Sequence, residues 1–552
     1  MSLLTRRGGL SFLASAAAFA AAPQLTAAAG LGVFQHGVAS GDPAEDSVVL
    51  WTRVTTPQPE VEVVCEVATD PDFSEIVWSR RLVAAAERDH TVKAVPDGLK
   101  PGAVHHYRFH ALGETSPAGR ARTLPAGRLD SLGLAVASCA NYALGAFTTY
   151  EAIAQDDAVD FVLHTGDYIY EYGDALMRQS NFYVRPCDPP GETLTLSDYR
   201  RRHAIYKRDP QLQRMHAAHV LIALWDDHEF ANDTWVGGAE NHQPDTEGPW
   251  QNRREAALQA YFEWMPVRPA PAGALAEAGR AYRFGDLATL VTLETRLTGR
   301  AQPIDYRRVK DALQSAEDRQ AFVERVLGDR NRTLLSERMA SELAHALTTS
   351  VREQQPWRLI GNGTLMARTN TPDVRRAGLR LDDYPELQFL DQYTDLLWKA
   401  DNGLPDDLGA WDGYAGARQG FYELCQRLEA RDLLVLTGDS HRFWSNRLAD
   451  DAGVPMGVEL GTAGACFPSE FRMAQFRPEL MTRLDALYTE ANPEVRWNSS
   501  AACGYVRLSL GRDAAEAAFI AVDTTRAGPA RPALLRRERI LRQGGGLAFQ
   551  DA

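Results

Sequence analysis

From Leu132 onward, short apolar segments recur, and each is followed directly by polar side chains of the kinds that bind metal ions. The segments are LGLAVASC, VDFVLHTGD, HVLIALWDDHE, PWRLIGNG and DLLVLTGDSH. The side chains that follow them include Cys139, Asp167, Asp226, Asp227, His228, Glu229, Asn362, Asp439 and His441. Apolar strands that alternate with helical stretches predict an α/β domain. Because ligands bind outside the carboxyl ends of strands in such sheets, we expect these side chains to meet at one rim.

Each of these residues has an ordinary structural explanation when it is considered alone. Cys139 is typical of a small buried hydrophobic side chain, and Asp167 after Gly166 is typical of a turn or a helix cap. Turns do not explain why ligand-type side chains follow five separate apolar segments. We therefore interpret the set as one cluster of candidate metal ligands.

The composition is that of an ordinary globular protein with more than one domain. The chain has 552 residues, of which 45% are apolar and 24% are charged. Its 59 basic and 73 acidic residues give a net charge of -14, which argues against a general nucleic-acid or anionic-membrane binder. We therefore expect no stable nucleic-acid complex. A small anionic substrate held by metal ions is compatible with this charge.

The first 29 residues are typical of an export signal that is removed. Arg6 and Arg7 precede an apolar segment that ends in the small residues Ala27 to Ala29. The paired arginines resemble the twin-arginine type, whose machinery exports folded proteins, so the expected location is periplasmic or secreted. The alternatives are an ordinary secretory signal and a retained membrane anchor, although the apolar part is short and rich in Ala. We expect no transmembrane anchor in the mature chain.

Two folded regions are expected after this signal. Residues 30–124 contain short β-rich segments separated by turn residues, which predicts a small all-β domain of fibronectin or immunoglobulin type. The linker RARTLPAGRLDSLG leads into the α/β domain, which we place at residues 125–545. Within it, the segment from about Asp311 to Glu353 predicts a long helical stretch that packs as an outer layer on the sheet or forms a lid.

The six cysteines lie far apart, and none belongs to a C-x-x-C pair. This spacing excludes a zinc ribbon and a dense disulfide scaffold. One or two disulfides are compatible with an exported protein, but the spacing does not give their pairing.

The candidate ligands suit metal-assisted hydrolysis of a phosphoester. Two cations about 4 Å apart bind phosphoryl oxygens, lower the pKa of a bound water and stabilise the leaving oxygen. The two oxygens of Asp167 suit a bridge between cations, and Tyr170 lies three residues on, within reach of the same metal. A phenolate and a thiolate favour Fe³⁺, whereas Asp and Asn oxygens suit Ca²⁺, Mg²⁺ or Mn²⁺. The ligand set is therefore mixed.

A series of motifs occurs in an order and at a spacing that fit one family. The motifs are FQHGVASGDPAEDSVVLWTRV, SCAN, HTGDYIYEYG, WDDHEFANDTW, LETR, WRLIGN, WDGY and LTGDSHRFWSN. On these motifs the chain resembles the PhoD-like alkaline phosphatases and phosphodiesterases of the calcineurin-like metallophosphatase superfamily, over most of the mature chain. The resemblance implies an α/β fold, a metallophosphatase-type β-sheet sandwich flanked by helices, preceded by the small all-β domain.

The resemblance also implies a role for each matching position. Those that would hold Fe³⁺ are Cys139, Asp167, Tyr170 and His441, with Asp167 also bridging to Ca²⁺. Those on the divalent side are Asp227, Asn362 and Asp439, with a contribution from Asn232. His228 would face the leaving group, as a proton donor or as a hydrogen-bond donor. The nucleophile would be a metal-bound hydroxide, and Mn²⁺, Mg²⁺ and Zn²⁺ are the alternative metals.

Two positions depart from the family pattern. Glu294 stands where the family often has Asp, and Gly363 stands where Gln is common. Neither is a proposed ligand. They leave open the details of substrate binding and whether Arg296 has a role beyond a structural salt bridge.

The sequence therefore predicts an exported, metal-dependent phosphoesterase that acts on monoesters, diesters or both. One alternative is a phospholipase D-type phosphodiesterase that uses the same metals. The candidate substrates therefore include phospholipid- and nucleotide-type phosphoesters. A more distant alternative is a non-catalytic surface binding protein, which would require missing ligands, and none of the primary positions is lost. Selectivity depends on rim loops such as RQSNFYVRPCDPPGETLTLSDY, whose shape no sequence pattern gives.

Overall fold

The structure, a computed structural model, describes residues 32–268, 279–384 and 391–551. The expected export signal, residues 1–29, lies outside the described residues. Within the described ranges, none of the helices combines the length and the apolar content that a membrane crossing needs.

The N-terminal region is all β, as predicted. Its strands are β1 (Val38–Gly41), β2 (Val49–Arg53), β3 (Glu60–Ala68), β4 (Ile76–Ala85), β5 (Thr91–Ala94), β6 (Val104–Ala111), β7 (Glu114–Thr115) and β8 (Gly119–Arg122). The β-rich segments identified in the sequence form β2 to β6.

Strands and helices follow one another from residue 131 onward. The strands are β9 (Ser131–Ala137), β10 (Phe161–His164), β11 (Val220–Ala223), β12 (Arg280–Phe284), β13 (Ala288–Thr292), β14 (Trp357–Gly361), β15 (Leu433–Thr437), β16 (Phe443–Ala449), β17 (Pro455–Gly461), β18 (Val495–Ser499), β19 (Cys503–Gly511), β20 (Ala514–Val522), β21 (Ala533–Gln543) and β22 (Gly546–Phe549). The α-helices are α1 (Thr148–Ala154), α2 (Asp174–Met177), α3 (Leu196–Lys207), α4 (Pro210–Ala218), α5 (Pro244–Glu247), α6 (Trp250–Trp264), α7 (Tyr306–Val309), α8 (Ala316–Phe322), α9 (Glu337–Arg352), α10 (Asp391–Asn402), α11 (Ala415–Arg427), α12 (Glu470–Met473) and α13 (Pro478–Ala491).

The described residues form three sheets. A ten-stranded sheet has the order β22-β21-β20-β19-β9-β10-β11-β1-β2-β5, and a seven-stranded sheet has the order β12-β13-β14-β15-β17-β16-β18. The third sheet has five strands, β4-β3-β6-β7 with β8 on β6. Strands β9, β10 and β11 are parallel neighbours in the first sheet, as are β13, β14 and β15 in the second. The predicted α/β class is confirmed.

The two large sheets pack face to face and bury the central core between them. Leu134 of β9 and Leu163 of β10 share this core with Leu359 of β14 and Leu434 of β15. Because successive side chains of a strand point to opposite faces, the next residue of β9, Ala135, lies in a different core. Each buried Leu contributes about 1.5–3 kcal/mol, so this layer holds the two sheets in a fixed relation.

Helices cover the outer faces of this sandwich. On the ten-stranded sheet, Val162 of β10 packs with Leu212 of α4 and Leu258 of α6. On the seven-stranded sheet, Val435 of β15 packs with Phe421 of α11. The sandwich is thus flanked by helices, as the resemblance implies.

The N-terminal region shares a sheet with the rest of the chain. Strand β1 pairs in parallel with β11, and β2 and β5 continue the ten-stranded sheet to its edge. The five-stranded sheet packs against this edge, because Val63 and Phe109 lie in the same core as Leu50. The domain limits at residues 30–124 and 125–545 stay a prediction, since hydrogen bonds of one sheet join strands on both sides of residue 125.

The prediction of one long helical stretch between Asp311 and Glu353 is wrong, because the structure divides this region into several elements. The region consists of α8, a π-helical turn at Val323–Leu327, and α9, which begins after the capping residue Ser336. The intervening GDRNRT has the turn-forming residues that interrupt a helix. Helix α9 packs Leu343 and Leu347 against Val291 of β13, so it belongs to the outer layer that the sequence analysis included among its alternatives.

All six cysteines lie in the described ranges and are free thiols. The one or two disulfides considered from the sequence are therefore not formed in this structure.

Candidate metal centre

The candidate ligands follow the carboxyl ends of parallel strands in both large sheets. Cys139 follows β9, Asp167 follows β10 and Asp227 follows β11. In the other sheet, Asn362 follows β14 and Asp439 follows β15. Since the sheets pack face to face, both sets reach one rim of the sandwich. The structure brings these side chains together, while their role as metal ligands stays a prediction.

Three donors of different chemistry surround Asp167 on what we call the thiol side of the rim. The ligand atoms of Cys139, Asp167 and His441 lie within 4.8 Å of one another. The Tyr170 hydroxyl donates to Asp167 Oδ2 at 3.0 Å and lies 3.3 Å from His441 Nε2. The Cys139 sulfur is 3.4 Å from the same Asp167 oxygen. Burial and the charge of Asp167 raise the pKa of the Cys139 thiol and of the Tyr170 hydroxyl.

Oxygen donors form the other half of the rim, which we call the carboxylate side. The carboxylate oxygens that lie within 4.8 Å of one another belong to Asp167, Asp226, Asp227 and Asp439. Asn362 Oδ1 and Asp227 Oδ1 are buried and accept no hydrogen bond from the described residues. A buried acceptor left unpaired costs about 1–3 kcal/mol. These two oxygens are therefore well placed to be satisfied by a cation.

Asp167 belongs to both sides, and its pKa is strongly perturbed. Burial raises its pKa well above the ordinary value, and the nearby carboxylates of Asp227 and Asp226 raise it further. Burial and the charge of Asp226 raise the pKa of Asp439 in the same way. Cations between such carboxylates would favour their ionised forms. The electrostatics of the rim therefore fit a site for more than one positive ion.

Four of the candidate ligands adopt a backbone conformation that is uncommon for residues with a side chain. Cys139, Asp167, Asp439 and His441 have φ angles of 58°, 56°, 58° and 54°. Non-glycine residues in this left-handed region each cost about 1–3 kcal/mol and cluster at functional sites. The strain turns the chain sharply at each strand end and directs the side chains into the rim.

Glu229 links two of the strand-end loops. Its buried carboxylate accepts from the backbone N–H groups of Tyr168 at 2.7 Å, Asp226 at 2.9 Å and Asp167 at 3.1 Å. Burial raises the pKa of Glu229 to about 7, although these hydrogen bonds oppose the shift. The loop after β10 is thus fixed relative to the loop after β11.

His228 is oriented by a buried carboxylate. Its Nδ1 lies 2.7 Å from Glu171 Oε2, and Glu171 also accepts from the Asn232 backbone N–H at 2.8 Å and from Asn241 Nδ2 at 2.9 Å. Burial lowers the pKa of His228, but the charges of Glu171, Asp227 and Asp167 outweigh burial and raise that pKa well above the ordinary value. Nε2 of His228 has no hydrogen-bond partner in the described part of the chain. That nitrogen is therefore available to a substrate.

The amide of Asn232 already has partners within the protein. Its Oδ1 accepts from the Tyr172 hydroxyl at 3.2 Å, and its Nδ2 donates to Glu240 at 2.7 Å. Asn232 lies beside Glu171, on the His228 side of the rim. The Oδ1 atom has a second lone pair, so its predicted contribution to metal binding is compatible with the Tyr172 bond.

Arg296 supplies a positive charge to the carboxylate side. The guanidinium is buried and binds Asp226 through Nε and, at 2.8 Å, through Nη2. The same Nη2 lies 3.6 Å from Asp227 Oδ1 and 3.9 Å from Asp439 Oδ2. Arg296 is thus a salt-bridge partner, one of the two roles left open by the sequence, and its partners are at the rim itself.

The two departures from the family pattern have local structural reasons. Glu294 accepts from the backbone N–H groups of Arg296, Leu297 and Thr298 and so fixes the loop that carries Arg296. A Cβ at position 363 would overlap the Asp226 carboxylate, which explains the glycine there.

Three rim carboxylates have no predicted role. The strand-end pattern places Asp226 and Glu229 at the rim, whereas it does not include Glu171. Asp226 and Glu229 lie inside the DDHE motif, and Glu171 lies inside GDYIYEYG. The density of acids in these motifs indicates that further carboxylates lie near the site. The motifs do not show which acid faces the ligand set, which one orients a histidine and which one binds backbone N–H groups.

Comparison with known proteins identifies the family. Residues 134–519 match the sequence profile described as PhoD-like phosphatase. The chain belongs to the PhoD-like phosphatase family. Residues 18–125 match the profile described as the N-terminal domain of PhoD-like phosphatases, which supports the all-β region as a unit of the same family.

Two individual proteins show how far the similarity to PhoD-like phosphatases extends. Alkaline phosphatase D from Bacillus subtilis (strain 168) is 33% identical over 430 residues, which cover 76% of this chain and 66% of the relative. A solved structure described as the structure of PhoD superposes with a TM-score of 0.75 at 27% identity, covering 96% of this chain and 94% of the other. The fold of the described residues is thus that of a PhoD-like phosphatase.

Proposed function

We propose that the protein is a metal-dependent phosphoric ester hydrolase that cleaves phosphomonoesters, phosphodiesters or both. The observation that carries the proposal is that three groups of potential ligand atoms meet at the rim and share Asp167. The other members are Cys139 and His441 in the first group, Asp227 and His228 in the second, and Asp226, Asp227 and Asp439 in the third. Membership of the PhoD-like phosphatase family supports the same reaction.

The donor set fits two kinds of metal ion. Cys139, Tyr170, His441 and Asp167 would hold Fe³⁺, since thiolate and phenolate favour a trivalent iron. Asp227, Asn362, Asp439 and Asp167 would hold Ca²⁺ or another hard divalent ion. The buried Oδ1 atoms of Asn362 and Asp227, which accept no hydrogen bond from the described residues, support this assignment. When bound there, such ions lower the pKa of a water molecule and neutralise charge on the phosphoryl oxygens.

The side chains around the metal ligands have roles of their own. Glu171 holds His228 by Nδ1, so Nε2 is directed away from Glu171 and can donate to the leaving oxygen of the ester. Arg296 binds Asp226 and keeps positive charge close to Asp227 and Asp439. Glu229 keeps the loops of Asp167 and Asp226 in one arrangement.

The test is metal analysis combined with hydrolysis. The purified protein should contain iron and a divalent metal and should hydrolyse p-nitrophenyl phosphate, bis(p-nitrophenyl) phosphate or both at neutral to alkaline pH. Asp167→Asn should lose metal and turnover together, because Asp167 belongs to every ligand group. Asp245→Asn, at an exposed position of α5, is the matched control and should change neither. Full activity of Asp167→Asn would contradict the proposal.

We also propose that the protein is exported, with residues 1–29 as a twin-arginine signal and a periplasmic or secreted location. The support is the Arg6 and Arg7 pair before the short apolar segment. A reporter that is exported only when folded should follow these residues out of the cytoplasm. Export that survives replacement of both arginines by Lys would count against this route.

A further inference from the structure

An apolar cluster lies directly against the thiol side of the centre. It contains two candidate ligands, Cys139 and Tyr170, together with Tyr172, Met177 and Phe467, and all five side chains are buried. The cluster is therefore continuous with the proposed metal ligands.

Aromatic contacts extend this surface from His441 to His228. The Phe467 ring stacks on the His441 ring with centroids 4.2 Å apart and meets the Tyr170 ring edge-on at 5.0 Å. The ring centroid of Tyr170 also lies 4.2 Å from that of His228. The ring centroid of Tyr172 lies 5.2 Å from that of His228. The side chain proposed to face the leaving group is thus flanked by two aromatic rings.

Half-buried apolar side chains complete the surface at its solvent side. Phe182 comes from the loop between α2 and α3, and Met473 comes from α12, yet both pack against the same cluster. Leu176 and Tyr183 join them. We call the surface formed by Tyr172, Leu176, Phe182, Tyr183 and Met473 the rim wall.

The loop that carries Phe182 is held in place by its own contacts. Asp174 accepts from the Tyr183 hydroxyl at 3.0 Å, from Arg178 Nε at 2.6 Å and from the Cys187 backbone N–H at 3.0 Å. The Arg472 guanidinium lies 5.2 Å from the Phe182 ring. A surface fixed in this way loses little conformational entropy when a ligand binds.

We infer that the rim wall binds the alcohol part of the substrate, and that the substrate is a phosphoester of an apolar alkyl or aryl alcohol. The inference rests on the proposed function, because it takes the phosphoryl group to lie at the ligand set and the leaving oxygen at His228. The hydroxyls of Tyr172 and Tyr183 are bound to Asn232 and Asp174. The surface of the wall is thus mostly carbon, where methylene and aryl groups gain from burial. The charged groups beside it, Arg178 and Arg472, lie over the Tyr183 and Phe182 rings.

Binding of n-alkylphosphonates tests this surface separately from turnover, since their C–P bond is not an ester. On the protein as purified with its metals, calorimetry should show affinity rising with chain length, by about twofold per methylene and so by about 30-fold from methyl- to n-hexylphosphonate. The wall is half-buried and therefore gives only part of the full burial gain. Equal affinity for all chain lengths would overturn the inference.

Substitution of Phe182 tests whether the rim wall causes the dependence of affinity on chain length. Phe182→Ala should reduce the ratio of hexyl to methyl affinity by about fivefold, and Met473→Ala should act in the same direction from the other side of the wall. Leu534→Ala is the matched control, since Leu534 is an exposed apolar residue of β21 and should leave the ratio unchanged. Thermal unfolding identifies a variant that fails to fold. If one of the two wall variants fails to fold, the affinity ratio of the other tests the assignment. An unchanged ratio in a folded variant of the wall would overturn the assignment.

Hydrolysis of n-alkyl phosphates, whose alcohols differ little in acidity, separates this inference from the proposed function. A kcat/KM that rises with chain length supports the inference. Hydrolysis that is independent of chain length would overturn the inference and leave the proposed function standing. Chain-length-dependent phosphonate binding without hydrolysis of any phosphoester would support the rim wall and count against the proposed function.

Discussion

The two sides of the rim share Asp167 but balance their charge in opposite ways. On the thiol side, burial and the charge of Asp167 raise the pKa of Cys139 and of Tyr170, which disfavours their anionic forms without a metal, and both groups contact the Asp167 side chain. On the carboxylate side, three further acids lie together, and the guanidinium of Arg296 lies within 4 Å of each of them. Thiol and phenol donors need a metal that displaces their protons, whereas carboxylate oxygens suit a hard cation. The difference predicts that the two sides respond differently to substitution.

Cys139→Ser should produce the largest difference between the metal content of the two sides. Losing the thiolate removes the soft donor, so the protein should lose iron and more than about 100-fold of its activity while it keeps the divalent metal. Metal analysis of the purified variant measures both ions. Cys425→Ser, at a buried cysteine of α11 outside the rim, is the control and should retain both metals. Iron content equal to that of the unsubstituted protein would show that the thiol side is not the iron site.

Tyr170→Phe should act on the same side through one ligand atom. Phenolate bound to Fe³⁺ absorbs visible light by charge transfer, so the variant should lose its visible band and about 10- to 100-fold of its activity. Absorption spectroscopy of the purified protein measures the band. Tyr422→Phe is the control, because Tyr422 is a buried tyrosine of α11 outside the rim. A visible band that persists in Tyr170→Phe would remove Tyr170 from the metal site.

The sequence predicts the thiol side better than the carboxylate side. Apolar segments identify the strand ends, so the positions of Cys139, Asp167 and His441 follow from local pattern and donor type. Asp226 differs from Asp227 only in where it points, and its partner Arg296 is 70 residues away in sequence. No local pattern gives that contact, nor the pairing of β1 with β11 that joins the N-terminal strands to the large sheet.

Glu171→Gln tests the histidine that lies between the two sides. The Glu171 charge raises the pKa of His228, so the neutral amide should lower that pKa. If His228 donates a proton, its protonated form is the active one and activity falls as pH rises through its pKa. The alkaline limb of the kcat profile should therefore move to lower pH, with about a tenfold loss of kcat at alkaline pH and a smaller loss at lower pH. The pH-rate profile measures the shift.

The control for this variant is Glu240→Gln, which removes a neighbouring carboxylate that binds Asn232 rather than His228. Its alkaline limb should stay in place. A Glu171→Gln profile of unchanged shape would mean that His228 acts as a hydrogen-bond donor without transferring a proton.

The smallest effect on the metal-loaded protein is expected from Arg296→Met, and the comparison of the two sides explains why. Without metal, the substitution leaves Asp226 buried and unpaired beside Asp227 and Asp439, which costs about 3–5 kcal/mol. With metal, the bound cations offset part of that charge, so the cost should fall. The change in Tm on chelation should therefore be larger in Arg296→Met than in the unsubstituted protein. Arg358→Met breaks a matched bidentate pair with Asp432, both nitrogen–oxygen distances being 2.6 Å, away from the rim. The Arg358→Met control should lower Tm by the same amount with and without metal. If Arg296→Met also lowered Tm by the same amount in both conditions, Arg296 would be a structural partner only, with no part in balancing the charge of the centre.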